Sequence, residues 1–190
     1  MKGFNNMENL TLIVDSREQQ ALQFKNFPSE VRGLRTGDYS LNGFEDVFTV
    51  ERKSISDLIG SLTAGRDRFF RELDRMQSYQ FKRLLIVGTR SDIEAGNYRS
   101  NATPKSIIAS LAVIECRHGV PIAFCSTPEE AARTVETWAY YFMREQAAQD
   151  ATGTQGDHRD GQSITHDSPP LSSDAGGTAS DSKTEGANQQ

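Results

Sequence analysis

The chain has 190 residues, enough for one domain with an appendage. Its net charge of -5 lies wholly in residues 147–190, whose seven acids face two bases; residues 1–146 carry 19 of each, so the acidic balance says nothing about the folded part's partners. No apolar run nears the length of a transmembrane helix, and Met1 to Asn6 lack a signal-peptide hydrophobic region.

Leu10 to Val14 is a short apolar run, hence a buried strand, which ends at Asp15-Ser16-Arg17-Glu18. Val31 to Leu41 and Val47 to Lys53 read as two more strands joined through Asn42-Gly43, a hairpin signal. From Ser54 the period changes: Ile55, Leu58, Ile59 and Leu62 recur at helical spacing, and Phe69, Leu73 and Met76 do so after Ala64-Gly65. Leu84 to Val87 is a buried strand. Thr103-Pro104 opens a helix with Ile107, Ile108, Leu111 and Ile114 on its apolar face and Gly119 at its end. Pro121 to Cys125 is a last strand, and Thr127-Pro128-Glu129-Glu130 is a capping box for a final helix. This order predicts an α/β sandwich with a mixed central sheet flanked by helices. Residues 8–146 form the domain. From Ala147 the chain is rich in Ser, Thr, Gly, Gln and Asp, and residues 147–190 are expected to be a disordered acidic tail. Cys116 and Cys125 are expected as buried reduced thiols, which places the protein inside the cell, in cytoplasm or nucleoid.

The stretch V-E-R-K at residues 50–53 ends a strand in three charges. Side chains alternate along a strand, so Glu51 and Lys53 share one face and Arg52 takes the other. Asp38 ends the first arm of the same hairpin, and Asp15 and Glu18 end the first strand. Any one such acid is ordinarily a solvated cap. Gathered together, unpaired carboxylates repel and raise each other's pKa, which a cation relieves. Hard oxygen ligands suit Mg²⁺ or Mn²⁺, and no His or Cys is placed for zinc. A cation so held acidifies a bound water and stabilises an in-line displacement at phosphorus. Lys53 would orient or deprotonate that water, or stabilise the pentacovalent phosphate. A two-residue Asn42-Gly43 turn would set Glu51 opposite Leu34. Asp38 meets Glu51 only if paired residue numbers sum to 88 or 89, which makes residues 42–46 a longer loop; this longer loop is expected.

Val14-Asp15-Ser16-Arg17-Glu18, Gly37-Asp38-Tyr39, Val50 to Leu62 and Gly65-Arg66 resemble the nuclease domain of the XPF family of structure-specific endonucleases. The motif Gly-Asp-x(n)-Glu-Arg-Lys-x3-Asp is complete, and the resemblance spans about residues 10 to 145. It implies a restriction-endonuclease-like fold, and as substrate junctions of duplex with single-stranded DNA, met in repair or recombination. It implies Asp38 and Glu51 as metal ligands, Asp15 contributing directly or through water, and Lys53 as the catalytic lysine. Arg52 would brace the site or hold a phosphate, Asp57 would face back to the site, and Arg17, Glu18 and Arg66 would support it. Family members usually carry a tandem helix-hairpin-helix domain after the nuclease. An acidic tail follows here, so a DNA-binding partner protein is expected in its place.

Beside such a site the basic stretch Arg66, Arg68, Arg71, Arg75, Lys82 and Arg83 reads as a DNA-binding surface, with Arg32 and Arg35 adding to it. Trp138, Tyr140, Tyr141 and Phe142 read as core or interface packing rather than a base-stacking platform. The final helix, with Ala131, Ala132, Val135, Trp138, Ala139, Tyr141, Phe142 and Met143, is apolar too far round for one docking face. Together with Ile107, Leu111 and Ile114 it predicts a homodimer through residues 104–146. An active endonuclease is the principal expectation. A catalytically silent DNA-binding or scaffold subunit is the alternative, and the intact motif separates the two.

Overall fold

The computed structural model describes residues 10–153. Eleven elements follow in order: β1 (Leu12–Asp15), β2 (Ser29–Arg32), β3 (Tyr39–Leu41), β4 (Phe48–Ser54), α1 (Ile55–Leu62), α2 (Arg66–Met76), β5 (Phe81–Val87), α3 (Arg90–Glu94), α4 (Pro104–His118), β6 (Ile122–Cys125) and α5 (Pro128–Gly153). The strands form one mixed sheet of order β2-β1-β3-β4-β5-β6. β1 runs parallel to β2 and antiparallel to β3; β3 is antiparallel to β4; β4, β5 and β6 are parallel. The α/β sandwich with a mixed central sheet is thus present.

The two sheet faces have separate cores, because strand side chains alternate between them. Phe48 and Val50 of β4, Leu85 of β5 and Tyr39 and Leu41 of β3 pack beneath α5 with Ala131, Val135, Ala139 and Phe142. Leu84 and Ile86 of β5 point the other way. They meet Leu58, Ile59 and Leu62 of α1, Phe69, Leu73 and Met76 of α2, and Ile107, Leu111 and Ile114 of α4.

The chain differs from expectation in four places. Val31 to Leu41 is two elements, not one strand: β2 is an exposed edge beside β1, and only Tyr39–Leu41 pairs with β4. The intervening Gly37 has φ +80, and a Cβ there would lie 2.2 Å from Thr49 Oγ1. Such a bend is available to glycine and ends any continuous strand. The expected tail boundary also moves, because α5 continues past Gln146 to Gly153; residues 154–190 lie outside the described residues. Cys116 is exposed, whereas Cys125 is buried as expected. Finally, Ile107, Leu111 and Ile114 are core residues, 0–3% exposed, so α4 does not add them to a surface shared with α5. No helix among the described residues is long and apolar enough to cross a membrane.

Candidate active site

Tyr39 of β3 pairs with Val50 of β4, so the paired numbers sum to 89 and residues 42–47 form the longer loop. Asp38 N donates to Val50 O at 2.9 Å, and Asp38 Oδ2 accepts from Arg52 N at 2.7 Å. The Asp38 carboxylate is thereby fixed against the Glu51–Arg52 peptide. Glu51 is 4% exposed, and Lys53 Nζ donates to its Oε1 at 2.6 Å. β4 runs into α1 with no intervening loop: Ser54 closes the strand and caps the helix. Lys53 is therefore pinned at a strand–helix junction, with its ammonium 4.9 Å above the Phe69 ring of α2.

Burial pushes the Glu51 carboxyl well above the ordinary carboxylate range, and the nearby Asp38 charge adds to this; Lys53 offsets only part. Asp38 is raised as well, first by burial and then by Glu18 and Glu72, against the Arg52 N–H and Lys53. Burial acts to lower the Lys53 ammonium, but Glu51, then Glu72 and Asp38, more than reverse it, so Lys53 stays cationic. The cluster is two strained carboxylates beside one committed cation.

The other expected site residues divide. Asp15 ends β1, next to Asp38 through the bond from Asp15 N to Asp38 O. Its oxygens, however, accept from Arg17 N, Nε and Nη2 and from Leu34 N. These bonds outweigh burial and hold its carboxyl below the ordinary range. Asp15 and Arg17 thus clamp the 32–38 segment. Glu18 is brought close to Asp38 and lies 3.8 Å from Arg52 Nη1. The Arg52 side chain, on the opposite strand face from Lys53, is 8% exposed, and its Nε is buried with no hydrogen-bond partner among the described residues. Asp57 is not brought to the cluster: it is exposed and exchanges hydrogen bonds with the Ser54 hydroxyl at the helix cap. Arg66 is likewise turned away. Its Nη1 donates to Leu62 O and Ser110 Oγ, and its guanidinium lies over Phe70.

Hard-cation chemistry can be tested on the donors present. Among the described residues no group of three or more His, Cys, Asp or Glu side chains is arranged to hold a metal. The pair Asp38 and Glu51 nevertheless fits Mg²⁺ or Mn²⁺. Such ions are held by one or two carboxylates, with water and substrate phosphate completing the shell. Both carboxylates are also ones whose charge the fold itself leaves poorly compensated.

The basic residues also divide. Arg68, Arg71 and Arg75 are exposed on α2. Arg35 and Arg75, with Thr36, Asp46, Asp74, Ser78 and Tyr79, line a cleft of about 370 Å³. Thr36, two residues before Asp38 in sequence, is the lining residue nearest the acidic cluster along the chain; Asp38, Glu51 and Lys53 are not among the lining residues. Arg32 is tied to Glu30, Asn42 and Glu45. Lys82 bonds to Gln77 O and Tyr79 O, and Arg83 packs on Phe81 and Trp138. The residue that sequence reasoning missed is Glu72. It sits inside the basic run, yet its charge acts on Asp38, Glu51, Lys53 and Arg17. Its spacing of three from Phe69 was the available signal.

The ERCC4 domain family matches residues 14–137 of this chain. A solved structure of XPF from Aeropyrum pernix is similar, with a TM-score of 0.59 and 23% identity, covering 74% of this chain and 69% of that one. A second, XPF from Aeropyrum pernix in complex with DNA, has a TM-score of 0.58 and 23% identity, covering 72% of this chain and 66% of that one. At this identity the likeness is one of fold. No curated protein matches the chain.

Proposed function

The chain belongs to the ERCC4 domain family, and on that footing we propose that it is a metal-dependent DNA endonuclease that hydrolyses phosphodiester bonds at branched or duplex/single-strand junctions. The observation that carries this reading is the Asp38–Glu51–Lys53 cluster, a half-buried and a buried carboxylate, both of raised pKa, with an ammonium 2.6 Å from the buried one, Glu51. Bound there, Mg²⁺ or Mn²⁺ supplies charge neutralisation and acidification of water. Asp38 and Glu51 are the residues that would hold it. Arg52 serves through its backbone N–H, which fixes the Asp38 carboxylate. Lys53 stays cationic, which favours stabilising phosphoryl oxygens or orienting the attacking water over removing a proton.

DNA as substrate rests on further supports. α2 presents Arg68, Arg71 and Arg75, and Arg35 lines a cleft together with Arg75. Guanidinium groups suit phosphate contacts. One of the similar structures is XPF in complex with DNA, which favours the same polymer here. Junction preference, a role in repair or recombination inside the cell, a DNA-binding partner protein and a homodimer follow from the XPF resemblance.

The test is cleavage of labelled flaps, forks, splayed arms and plain duplex with Mg²⁺ or Mn²⁺. The expected result is metal-dependent nicking of branched substrates, lost in Asp38→Ala, Glu51→Ala and Lys53→Ala. Binding of DNA with no cleavage under any metal would overturn the catalytic reading and leave a silent subunit.

A further inference from the structure

Glu72 lies on α2, three residues after Phe69 and therefore on the same helix face. Phe69 is the residue whose ring carries the Lys53 ammonium. Glu72 is half-buried, and no hydrogen bond or salt bridge engages its carboxylate among the described residues. Every other acid around the cluster has a partner: Asp15 has Arg17, Glu18 has Arg52, Asp38 has the Arg52 N–H and Glu51 has Lys53. An unpaired, half-buried carboxylate is retained against a desolvation cost.

Glu51 faces a conflict. Its Oε1 is held by Lys53 at 2.6 Å, and the same carboxylate is the one the proposed function assigns to a cation. If Glu51 turns to a cation, the Lys53 ammonium loses its partner at a position only 13% exposed. Leaving a buried charge unpaired costs several kcal/mol. An acid already on the Lys53 side of α2 removes that cost.

We propose that Glu72 is a positioning residue of this active site, acting through Lys53: it takes over the ammonium so that Glu51 can leave the ion pair for a divalent cation. The influence of Glu72 on Lys53 and on both carboxylates fits this role. The inference rests on the proposed function of the site.

The experiment is calorimetric titration of Mn²⁺ into the full chain without DNA, for wild type, Glu72→Gln, Glu72→Asp, Lys53→Ala and the Lys53→Ala/Glu72→Gln pair. Glu72→Gln should weaken Mn²⁺ binding by about 10-fold or more, as loss of an outer-sphere partner does, without lowering the melting temperature. Glu72→Asp should recover part of the affinity. In the Lys53→Ala background there is no ammonium to rehouse, so adding Glu72→Gln should change nothing. Wild-type Mn²⁺ affinity in Glu72→Gln overturns the proposal. So does an equal loss in both backgrounds, which would make Glu72 a direct ligand, or a loss that only follows unfolding. A wild-type protein that binds no Mn²⁺ at all overturns the metal-dependent reading itself, a different result from any of these.

Discussion

Asp38 and Glu51 are held in place by bonds that do not neutralise them. The Arg52 N–H fixes Asp38 without cancelling its charge, and Lys53 offsets only part of the burial of Glu51. Both carboxyls therefore titrate well above their unfolded values. Between those two limits the folded state binds more protons than the unfolded one, so the metal-free protein should lose stability as pH rises. Asp15, whose carboxyl is lowered, acts in the opposite sense, but only under more acid conditions. In a chelator, the melting temperature should fall from about pH 5 to about pH 8. Asp38→Asn keeps an acceptor for the Arg52 N–H and removes one charge. It should flatten this profile, raise the melting temperature near neutrality by about 2–4 °C, as ~1 kcal/mol does at this size, and abolish cleavage. A wild-type melting temperature that rises over the same range would contradict the electrostatic account. The sequence made Glu51 and Lys53 legible through a motif and strand alternation, and Asp38 through the motif and its place at the end of a hairpin arm. It did not separate Asp15, whose acceptance of four donors depends on a turn at Arg17 and a distant N–H at Leu34. Glu72 escaped because helix spacing says which residues share a face but not what that face meets.

At the scale of elements, the hairpin register decides whether a site exists. The Asn42-Gly43 signal favours a tight turn, and the observed loop overrides it. Phe48 N and Val47 N both bond back to Phe44 O, which closes the wider turn. Gly37 sets the other end, where the chain leaves the β2 edge and enters β3. Gly37→Ala meets two penalties there, the positive φ and a Cβ 2.2 Å from Thr49 Oγ1 and 3.1 Å from Val50 O. A cost on the order of 1–3 kcal/mol is expected for such strain. Because Asp38 follows directly, urea unfolding and cleavage should both suffer, and a variant as stable and active as wild type would show that the bend is not needed. α2 is the second element on which function turns. Its apolar face was readable from Phe69, Leu73 and Met76, but its arginines were not equivalent. Arg66, Arg68, Arg71 and Arg75 are all exposed, but the Arg66 guanidinium is engaged by Leu62 O of α1 and Ser110 Oγ of α4. Replacing either Arg71 or Arg75 with Ala should weaken DNA binding and reduce the slope of log affinity against log salt by about 1. An unchanged slope would remove that residue from the DNA surface.

For the molecule as a whole, the two-sided sheet constrains how copies can associate. α5 covers one face while α1, α2 and α4 cover the other, so the apolar residues of α4 and α5 serve different cores. The second side of α5 is also partly covered from within. Glu136, 1% exposed, accepts from Lys25 N, Asn26 N and Asn26 Nδ2, and so ties the segment before β2 onto the helix. Leu22 and Phe27 of that segment pack into the same core as Ala132 and Ala139. Helical periodicity registered an excess of apolar surface but could not reveal a covering loop more than a hundred residues away in sequence. What remains is smaller than the sequence implied: Tyr141, 55% exposed, beside an open groove of about 370 Å³ that Phe81, Trp138 and Phe142 also line. A homodimer would have to be built on this patch near the C-terminal end of α5. A stable interface typically buries about 800 Å² per partner, so neighbouring polar residues such as Glu145, Gln146 and Gln149 must join it. Light scattering coupled to gel filtration at micromolar concentration should give twice the chain mass of 21.1 kDa. Tyr141→Glu should return the single-chain mass without lowering the melting temperature of the fold, because the exposed ring contributes little to the core. A wild-type mass of one chain rejects the dimer. A Tyr141→Glu protein that stays dimeric moves the interface off α5.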